Sequence, residues 1–407
     1  MSAELVCPGC RAVLPALSRR SSCACGGLLD VVQRPREAGG TLRARFDRRL
    51  RDGDRPVQGS GVWRFRELLL PARGGVLTQP EGRTPLLQRE AIARFVGHEL
   101  ALKHEGHNPT GSFKDRGMTV AVTHARRAGA SAVACASTGN TSASMAAYAA
   151  RAGLTALVLL PAGKVALGKL SQAIAHGAKI AQVDGNFDDA MRLIVELSLK
   201  ERSVYLLNSI NAYRLEGQKT LAFEVCEALG DAPDALVLPM GNAGNISAIW
   251  KGFNEWKRLG RIRRLPRMIG VQAEKAAPIA RAWMERRNYR RVENPETIAT
   301  AIRIGAPVSH HKALAAIEES GGEAGIVTDR EILEAQQYLA RTEGLFVEPA
   351  SAVPIAYLRK RKLKGMRTVV CVTTGHGLKD PDALRDAPVK MRRVKPTLAA
   401  IRKVLEG

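Results

Sequence analysis

The 407-residue sequence has few aromatic side chains and comparatively few acidic ones. Phe, Trp and Tyr make up 4% of it, and 62 Lys and Arg against 39 Asp and Glu give a formal net charge of +23. Basic proteins often bind nucleic acid, but single-strand binding surfaces interleave basic residues with stacking rings. Because the basic residues are spread along the chain and rings are scarce, we expect no nucleic-acid partner. A solvated Arg-rich surface would suit small anionic substrates.

Long apolar runs are also missing. No stretch approaches the roughly 20 consecutive apolar residues that span a bilayer, and the first ten residues contain Cys and Pro without the apolar core of a secretory leader. The hydrophobic content of 45% is that of ordinary globular proteins, which argues against disorder as the main state. We therefore expect a cytoplasmic protein without a membrane partner, long enough to form two domains.

Four of the seven cysteines lie close together near the N-terminus. Cys7 and Cys10 form a C-x2-C pair, and Cys23 and Cys25 follow twelve residues later as C-x-C. Four thiolates from two knuckles can close a tetrahedral zinc site, although the second knuckle is one residue shorter than usual. The sequence favours structural zinc, with an empty knuckle as the alternative, and a disulfide is not expected in a cytosolic chain.

Short apolar runs alternate with helical patterns over most of the remaining chain. The segments between these runs, such as 187–202 and 214–229, have the Ala- and Leu-rich spacing of helices. Strand–helix repetition of this kind predicts parallel sheets covered on both faces. The predicted strands are 132–136, 155–160, 179–183, 204–207, 235–238, 268–272 and 368–372.

The predicted fold is therefore α/β, with two lobes built on open, doubly wound parallel sheets and a small Cys-rich N-terminal knuckle. Residues 34–61, rich in Arg with Gly and Pro breakers, are interpreted as a linking arm. The predicted divisions are the knuckle over 1–30, an N-terminal arm that joins the larger lobe over 31–95, a smaller lobe over 96–212, a larger lobe over 213–385, and a basic, helical tail over 386–407.

A lysine at the start of a predicted helix is the best candidate nucleophile. Residues 108–117 read Asn-Pro-Thr-Gly-Ser-Phe-Lys-Asp-Arg-Gly, so a turn and cap precede a helix that begins at about Phe113. Lys114 then lies in the first helical turn, where the positive end of the helix dipole favours a neutral amine. On spacing alone, a surface lysine near a cap is the alternative.

Three glycine-rich turns, each between a predicted strand and a predicted helix, support the functional interpretation. Open α/β sheets bind ligands at such connections, and successive backbone N–H groups at a helix start form a phosphate cradle. A crevice that combines such a cradle with an amine nucleophile suits a phosphorylated ligand that reacts with amines, and pyridoxal phosphate is the natural candidate. The turns are 137–141, 241–245 and 373–377.

These motifs resemble those of the threonine synthase family, pyridoxal-phosphate enzymes of the tryptophan-synthase-β-like fold, or fold type II. The resemblance implies conversion of O-phospho-L-homoserine and water into L-threonine and phosphate, the last step of threonine biosynthesis, by a homodimeric lyase. The resemblance covers most of the chain. The motifs that carry it are the Cys knuckles, Gly-Arg-Thr-Pro-Leu at 82–86, the lysine loop at 108–117, Asn-Ser-Ile-Asn at 208–211, Arg-Leu-Glu-Gly-Gln-Lys-Thr at 214–220 and Thr-Gly-His-Gly-Leu-Lys-Asp at 374–380.

The same resemblance implies roles for individual residues. Lys114 would hold the cofactor covalently and move protons, Asn140 would bond the 3′ oxygen of the ring, and Thr374 would face the pyridine nitrogen. The cofactor phosphate would rest on Gly241, Asn242, Ala243, Gly244 and Asn245. The substrate would be bound by Asn208, Ser209 and Arg214 at its phosphate, by Ser137 and Thr138 at its carboxylate, and by Thr141 beside the ring.

Several alternatives stay open. A relative with the same lysine and cofactor could be a cysteate-synthase-like enzyme, which replaces the phosphate of phosphoserine with sulfite, or a threonine dehydratase-like lyase. A non-enzymatic regulator with a zinc knuckle is a third class. Arg214 could pair with Glu216 or Glu224 instead of binding phosphate. Residues 348–352 are interpreted as a helix start, with no assigned role.

Overall fold

The computed structural model describes residues 2–34, 39–52, 56–70, 74–163, 167–384 and 393–405. Each predicted strand is present, with ends that differ from the prediction by at most one residue. The strands are β1 (Ser2–Val6), β2 (Val13–Pro15), β3 (Asp30–Arg34), β4 (Leu86–Gln88), β5 (Ala101–His104), β6 (Ala132–Ala136), β7 (Thr155–Pro161), β8 (Lys179–Val183), β9 (Val204–Leu206), β10 (Ala235–Pro239), β11 (Arg267–Ala273), β12 (Glu323–Val327) and β13 (Val369–Thr373).

Helices fill most of the intervals between these strands. Within the described parts of the chain, no helix combines the length and the apolar character that a bilayer span needs. The α-helices are α1 (Gly39–Arg51), α2 (Pro56–Gly59), α3 (Glu90–Val96), α4 (Lys114–Arg127), α5 (Asn140–Ala152), α6 (Leu167–Ala175), α7 (Phe187–Lys200), α8 (Ala212–Gln218), α9 (Thr220–Leu229), α10 (Gly244–Arg258), α11 (Pro278–Met284), α12 (His310–Glu319), α13 (Asp329–Glu343), α14 (Pro349–Lys360) and α15 (Leu398–Leu405).

The larger lobe is built on a six-stranded sheet in the order β12-β11-β10-β13-β5-β4. All neighbours in it are parallel except β4, which runs antiparallel to β5. Every residue of β10 is buried, as expected for a continuous apolar strand with both faces covered. Since β10 and β13 are adjacent and parallel, the turns at 240–243 and 374–376 emerge side by side at one edge.

The smaller lobe is built on a parallel four-stranded sheet in the order β8-β7-β6-β9. Its central strand β6 leads into the turn at 137–139 and then into α5. Because β9 lies next to β6, the segment 207–211 emerges beside that turn. The two-lobed α/β fold is therefore confirmed, whereas the domain boundaries stay a prediction; β4 and β5, before the lysine loop, pair into the larger sheet.

The N-terminal region contains more regular structure than the sequence predicted. Strands β1, β2 and β3 form an antiparallel sheet around the knuckle, and part of the expected linking arm is helix α1. Leu42 and Phe46, four residues apart, bury their side chains against the larger lobe, where Phe46 stacks on Trp256. Part of the predicted linking arm over 34–61 is thus a helix packed on the larger lobe, and residues 35–38 and 53–55 of it lie outside the described ones.

Candidate active site

Lys114 is the first residue of α4, and the preceding loop is attached to the turn that follows β13. The Phe113 N–H donates to the Thr374 carbonyl at 3.0 Å, and the His376 N–H donates to the Gly111 carbonyl at 2.9 Å. Gly111 has φ +85°, a left-handed conformation that glycine adopts without strain. These bonds fix the start of α4 against the edge of the larger sheet.

The environment of Lys114 favours its neutral amine. Desolvation is the main reason that the pKa of Lys114 falls to about 7, and the nearby positive charge of Arg214 lowers it further. The carboxylate of Glu348 acts in the opposite direction. An amine whose pKa lies near neutral pH can act both as a nucleophile and as a base.

Asn140 and Thr374 meet at Glu348, a residue to which the sequence assigned no role. The Asn140 amide nitrogen donates to the Glu348 carboxylate at 2.9 and 3.2 Å, and the Thr374 hydroxyl donates to it at 3.3 Å. Burial raises the pKa of Glu348. The structure thus brings Asn140 and Thr374 together across the crevice between the lobes, with an unforeseen acid between them.

The turn at 241–245 has the form of an anion cradle. Ala243 adopts a left-handed φ of +62°, and α10 begins at the next residue with its first N–H groups available. A Cβ on Gly241 would lie 3.2 Å from the Ala301 carbonyl oxygen, so glycine keeps this turn tight. Asn245 is 9% exposed, and within the described residues neither polar atom of its side chain has a hydrogen-bond partner. Such groups at the start of a 15-residue helix fit a phosphate.

Arg214 is a buried cation beside Lys114. It lies in the first turn of α8, whose start is capped by the Asn211 side chain. The Arg214 side chain is 2% exposed, and one guanidinium nitrogen donates to the Leu207 carbonyl at 3.2 Å. Desolvation lowers its pKa to about 10, and its Nε has no partner among the described residues. A buried guanidinium without a paired carboxylate is suited to an anionic ligand.

The two carboxylates considered as partners for Arg214 are engaged elsewhere. Glu216 pairs with Lys219 at 2.5 Å and also with Lys251. Glu224 pairs with Arg116 at 2.8 Å and with Lys103 at 2.6 Å. No ion pair of Arg214 with either acid occurs in the described structure, so the ion-pair alternative for this residue was wrong.

The other predicted substrate residues surround the same crevice. The Asn208 side chain bonds both backbone groups of Ala136, accepting at 3.0 Å and donating at 3.2 Å, which joins the ends of β6 and β9. This use of its amide indicates that Asn208 supports the sheet edge. Thr141 is buried in the first turn of α5, whereas three residues are partly exposed at the crevice: Ser137, Thr138 and Ser209. Their roles stay a prediction.

A buried ionic network anchors α4 behind Lys114. The Arg116 guanidinium is fully buried and donates to Glu105 at 2.6 Å and to Glu224 at 2.8 Å. Lys103 completes the network by pairing with Glu224. Helices α4 and α8 approach closely there, since a Cβ on Gly217 would lie 1.7 Å from the Arg116 carbonyl oxygen. This packing couples the positions of Lys114 and Arg214.

The four N-terminal cysteines form one cluster. Their sulfur atoms all lie within 4.8 Å of one another, with Cys7 to Cys25 at 3.6 Å and Cys10 to Cys23 at 3.4 Å. Zinc–sulfur bonds of about 2.3 Å in a tetrahedron place sulfurs about 3.8 Å apart, close to these distances. The short second knuckle therefore does not prevent the four thiols from converging, and the cluster could hold a metal ion.

Comparisons with known proteins bear on the family and the fold. A family model described as pyridoxal-phosphate dependent enzyme matches residues 77–375. The threonine synthase of Methanocaldococcus jannaschii is 51% identical over 393 residues, 95% of each chain, and that of Methanosarcina acetivorans is 54% identical over 353 residues, 85% of this chain and 87% of the relative. The structure of maize serine racemase, 20% identical, shares the fold with a TM-score of 0.64 over 80% of this chain and 93% of its own.

Proposed function

Because this chain belongs to the threonine synthase family of pyridoxal-phosphate-dependent enzymes, we propose that it converts O-phospho-L-homoserine and water into L-threonine and phosphate. This activity makes it a lyase that breaks a carbon–oxygen bond to phosphate. One observation carries the proposal beyond the family. An amine with a pKa of about 7 lies beside a buried guanidinium that pairs with no carboxylate of the described residues. The first group suits proton transfer and the second suits the substrate phosphate.

Pyridoxal phosphate is the cofactor that these residues fit. When bound, it supplies an electron sink that lowers the cost of removing protons next to the amino group of the substrate. Lys114 would hold it covalently, and Asn140 and Thr374 would contact its ring. Its phosphate would rest on the 241–245 turn, where the unpartnered Asn245 amide and the start of α10 supply donors.

Lys114 would move the protons of the reaction. Because its pKa is lowered to about 7, the amine exchanges a proton readily near neutral pH, so it can accept a proton from one substrate carbon and return it to another. The positive charge of Arg214 would bind the substrate phosphate and stabilise the charge that builds on it as the carbon–oxygen bond breaks. Because Arg214 also lowers the pKa of Lys114, the arginine helps to prepare the base.

We also propose that the Cys cluster holds structural zinc. The four converging thiols support this assignment, and the knuckle sheet places β3 against α8, which carries Arg214. Zinc would therefore stabilise the fold rather than take part in the chemistry. A homodimer and a cytoplasmic location stay predictions.

The test of function measures phosphate and threonine release in parallel from a panel of phosphorylated amino acids. We expect equal amounts of both products from O-phospho-L-homoserine. Cysteate formed from phosphoserine and sulfite, or 2-oxobutyrate formed from threonine as the main product, would favour the two enzymatic alternatives. The bound cofactor should give the wild type a visible absorption band. A wild type without this band, or a Lys114→Ala variant that keeps it, would contradict any enzyme of this family.

A further inference from the structure

A buried carboxylate lies between the two side chains proposed to contact the cofactor ring. Glu348 is 2% exposed. Its carboxylate accepts hydrogen bonds from the Asn140 amide at 2.9 and 3.2 Å and from the Thr374 hydroxyl at 3.3 Å. These donors are neutral, and a buried acid held by neutral groups is costly to maintain. Buried acids whose ionisation is perturbed and which line a cleft are candidates for a functional role, and Glu348 is one of them.

The backbone around Glu348 holds its carboxylate in one place. Val347 pairs with His376 in an antiparallel bridge, and the Glu348 N–H donates to the Gly375 carbonyl at 3.1 Å. The Ser351 hydroxyl in turn accepts from the Gly375 N–H at 2.8 Å. A Cβ on Gly375 would lie 2.7 Å from a carboxylate oxygen of Glu348. A side chain at 375 would therefore displace the Glu348 carboxylate from this position.

From this geometry we propose that Glu348 is a positioning residue that orients the Asn140 amide and the Thr374 hydroxyl for the cofactor ring. The inference rests on the proposed function. An amide nitrogen carries two hydrogens, and a bond from one of them to Glu348 fixes the amide plane while the other stays available to the ring oxygen. Asn140 begins α5 of the smaller lobe, whereas Glu348 precedes α14 of the larger one. Glu348 therefore also fixes one lobe relative to the other at the ring.

Glu348 affects the reactive amine as well. Its negative charge opposes the desolvation and the Arg214 charge that lower the pKa of Lys114. The position of the carboxylate thus balances two requirements: Lys114 must lose a proton easily, and it must also hold one long enough to return it. Replacement of the acid disturbs ring orientation and proton transfer together, while the phosphate site at Arg214 stays intact.

The test uses Glu348→Met, which keeps the side-chain length but removes the charge and both acceptors. We expect kcat to fall about tenfold or more, because one charge-assisted hydrogen bond is lost. KM for the phosphorylated substrate should change less than about threefold. The visible absorption of the bound cofactor should change, and Glu348→Gln, with one acceptor left, should recover part of kcat. Glu334→Met, at an exposed position of α13, is the matched control.

A double-mutant cycle with Asn140→Ala separates positioning from a structural role. If Glu348 acts through Asn140, adding Asn140→Ala to Glu348→Met should lower kcat little further. The melting temperature of Glu348→Met should not fall below that of the wild type. Unchanged kcat and absorption in Glu348→Met, or independent multiplication of the two losses, would overturn the proposal. A wild type that binds pyridoxal phosphate but releases no threonine would instead contradict the proposed function, and the absorption and cofactor affinity of the variants would still decide the role of Glu348.

Discussion

Replacement of Arg214 by methionine should make the protein more stable and less active. Burial lowers the pKa of Arg214 to about 10, which corresponds to a desolvation cost of roughly 3 kcal/mol. Methionine removes that cost but leaves the Leu207 carbonyl without its donor, a loss of about 1 kcal/mol. The free energy of unfolding of the cofactor-free protein should therefore rise by about 1–3 kcal/mol. Arg214 is charged in both folded and unfolded states at neutral pH, but its removal raises the pKa of Lys114 in the folded state. The gain should therefore be larger below about pH 7 than above it.

Activity should change in the opposite direction. Each charge-assisted hydrogen bond lost to the substrate phosphate costs about 1.5–3 kcal/mol, so kcat/KM should fall by about 10- to 150-fold per bond. The pKa of Lys114 should rise once the neighbouring charge is gone. Urea unfolding and phosphate-release kinetics measure the two effects, with Arg192→Met, exposed on α7, as the control. A variant that is less stable than the wild type and keeps kcat/KM within about threefold would refute this reasoning.

Three further predictions concern the lysine, the network and the knuckle. The rate at which the cofactor-free protein captures pyridoxal phosphate should rise with pH through about 7, because only neutral Lys114 attacks the aldehyde. A capture rate that does not change with pH, measured by stopped-flow absorbance, would contradict this. Arg116→Met should lower the free energy of unfolding by about 3–5 kcal/mol, since Glu105 loses its ion pair and Glu224 keeps only Lys103. An unchanged urea midpoint would argue against the network. Cys7→Ser should remove zinc and lower the melting temperature with turnover nearly intact, and wild-type protein without zinc by metal analysis would refute the metal site.

The sequence could predict features that depend on local chemistry. The lysine loop forms from its own turn residues, with a left-handed glycine and a short path into α4, so Lys114 was placed within one residue of the helix start. The parallel strands followed from continuous apolar runs, which leave few alternatives to burial on both faces. The turn at 241–245 was placed between a strand and a helix in the same way, because a glycine turn there is also local, and its role as a phosphate cradle stays a prediction.

Features that depend on distant pairing could not be predicted. Glu348 contacts Asn140, which lies 208 residues earlier, and Thr374, which lies 26 residues later. Its role becomes visible only when the lobes meet and the 347–348 segment pairs with the turn after β13. The partner of Arg214 could not be predicted either. Glu216 and Glu224 are near it in sequence, but in the folded protein Glu216 pairs with Lys219 and Glu224 pairs with Arg116.

The division of the site between two lobes gives these distant contacts their importance. Lys114 leads into α4, which packs on α5 of the smaller lobe, whereas the anion cradle and Thr374 follow strands of the larger sheet. A cofactor held by both sets would be aligned only at one lobe separation, so some contact must define that separation. Asn140 with Glu348 does so at the ring, and Lys169 on α6, 2.8 Å from Asp380, does so at the rim. Lys169 also donates to the Thr300 hydroxyl at 3.0 Å, and Lys379 donates to Gln172 of α6, so polar contacts continue along the rim. Polar contacts of this kind can hold a closed geometry and still exchange with water when substrate enters.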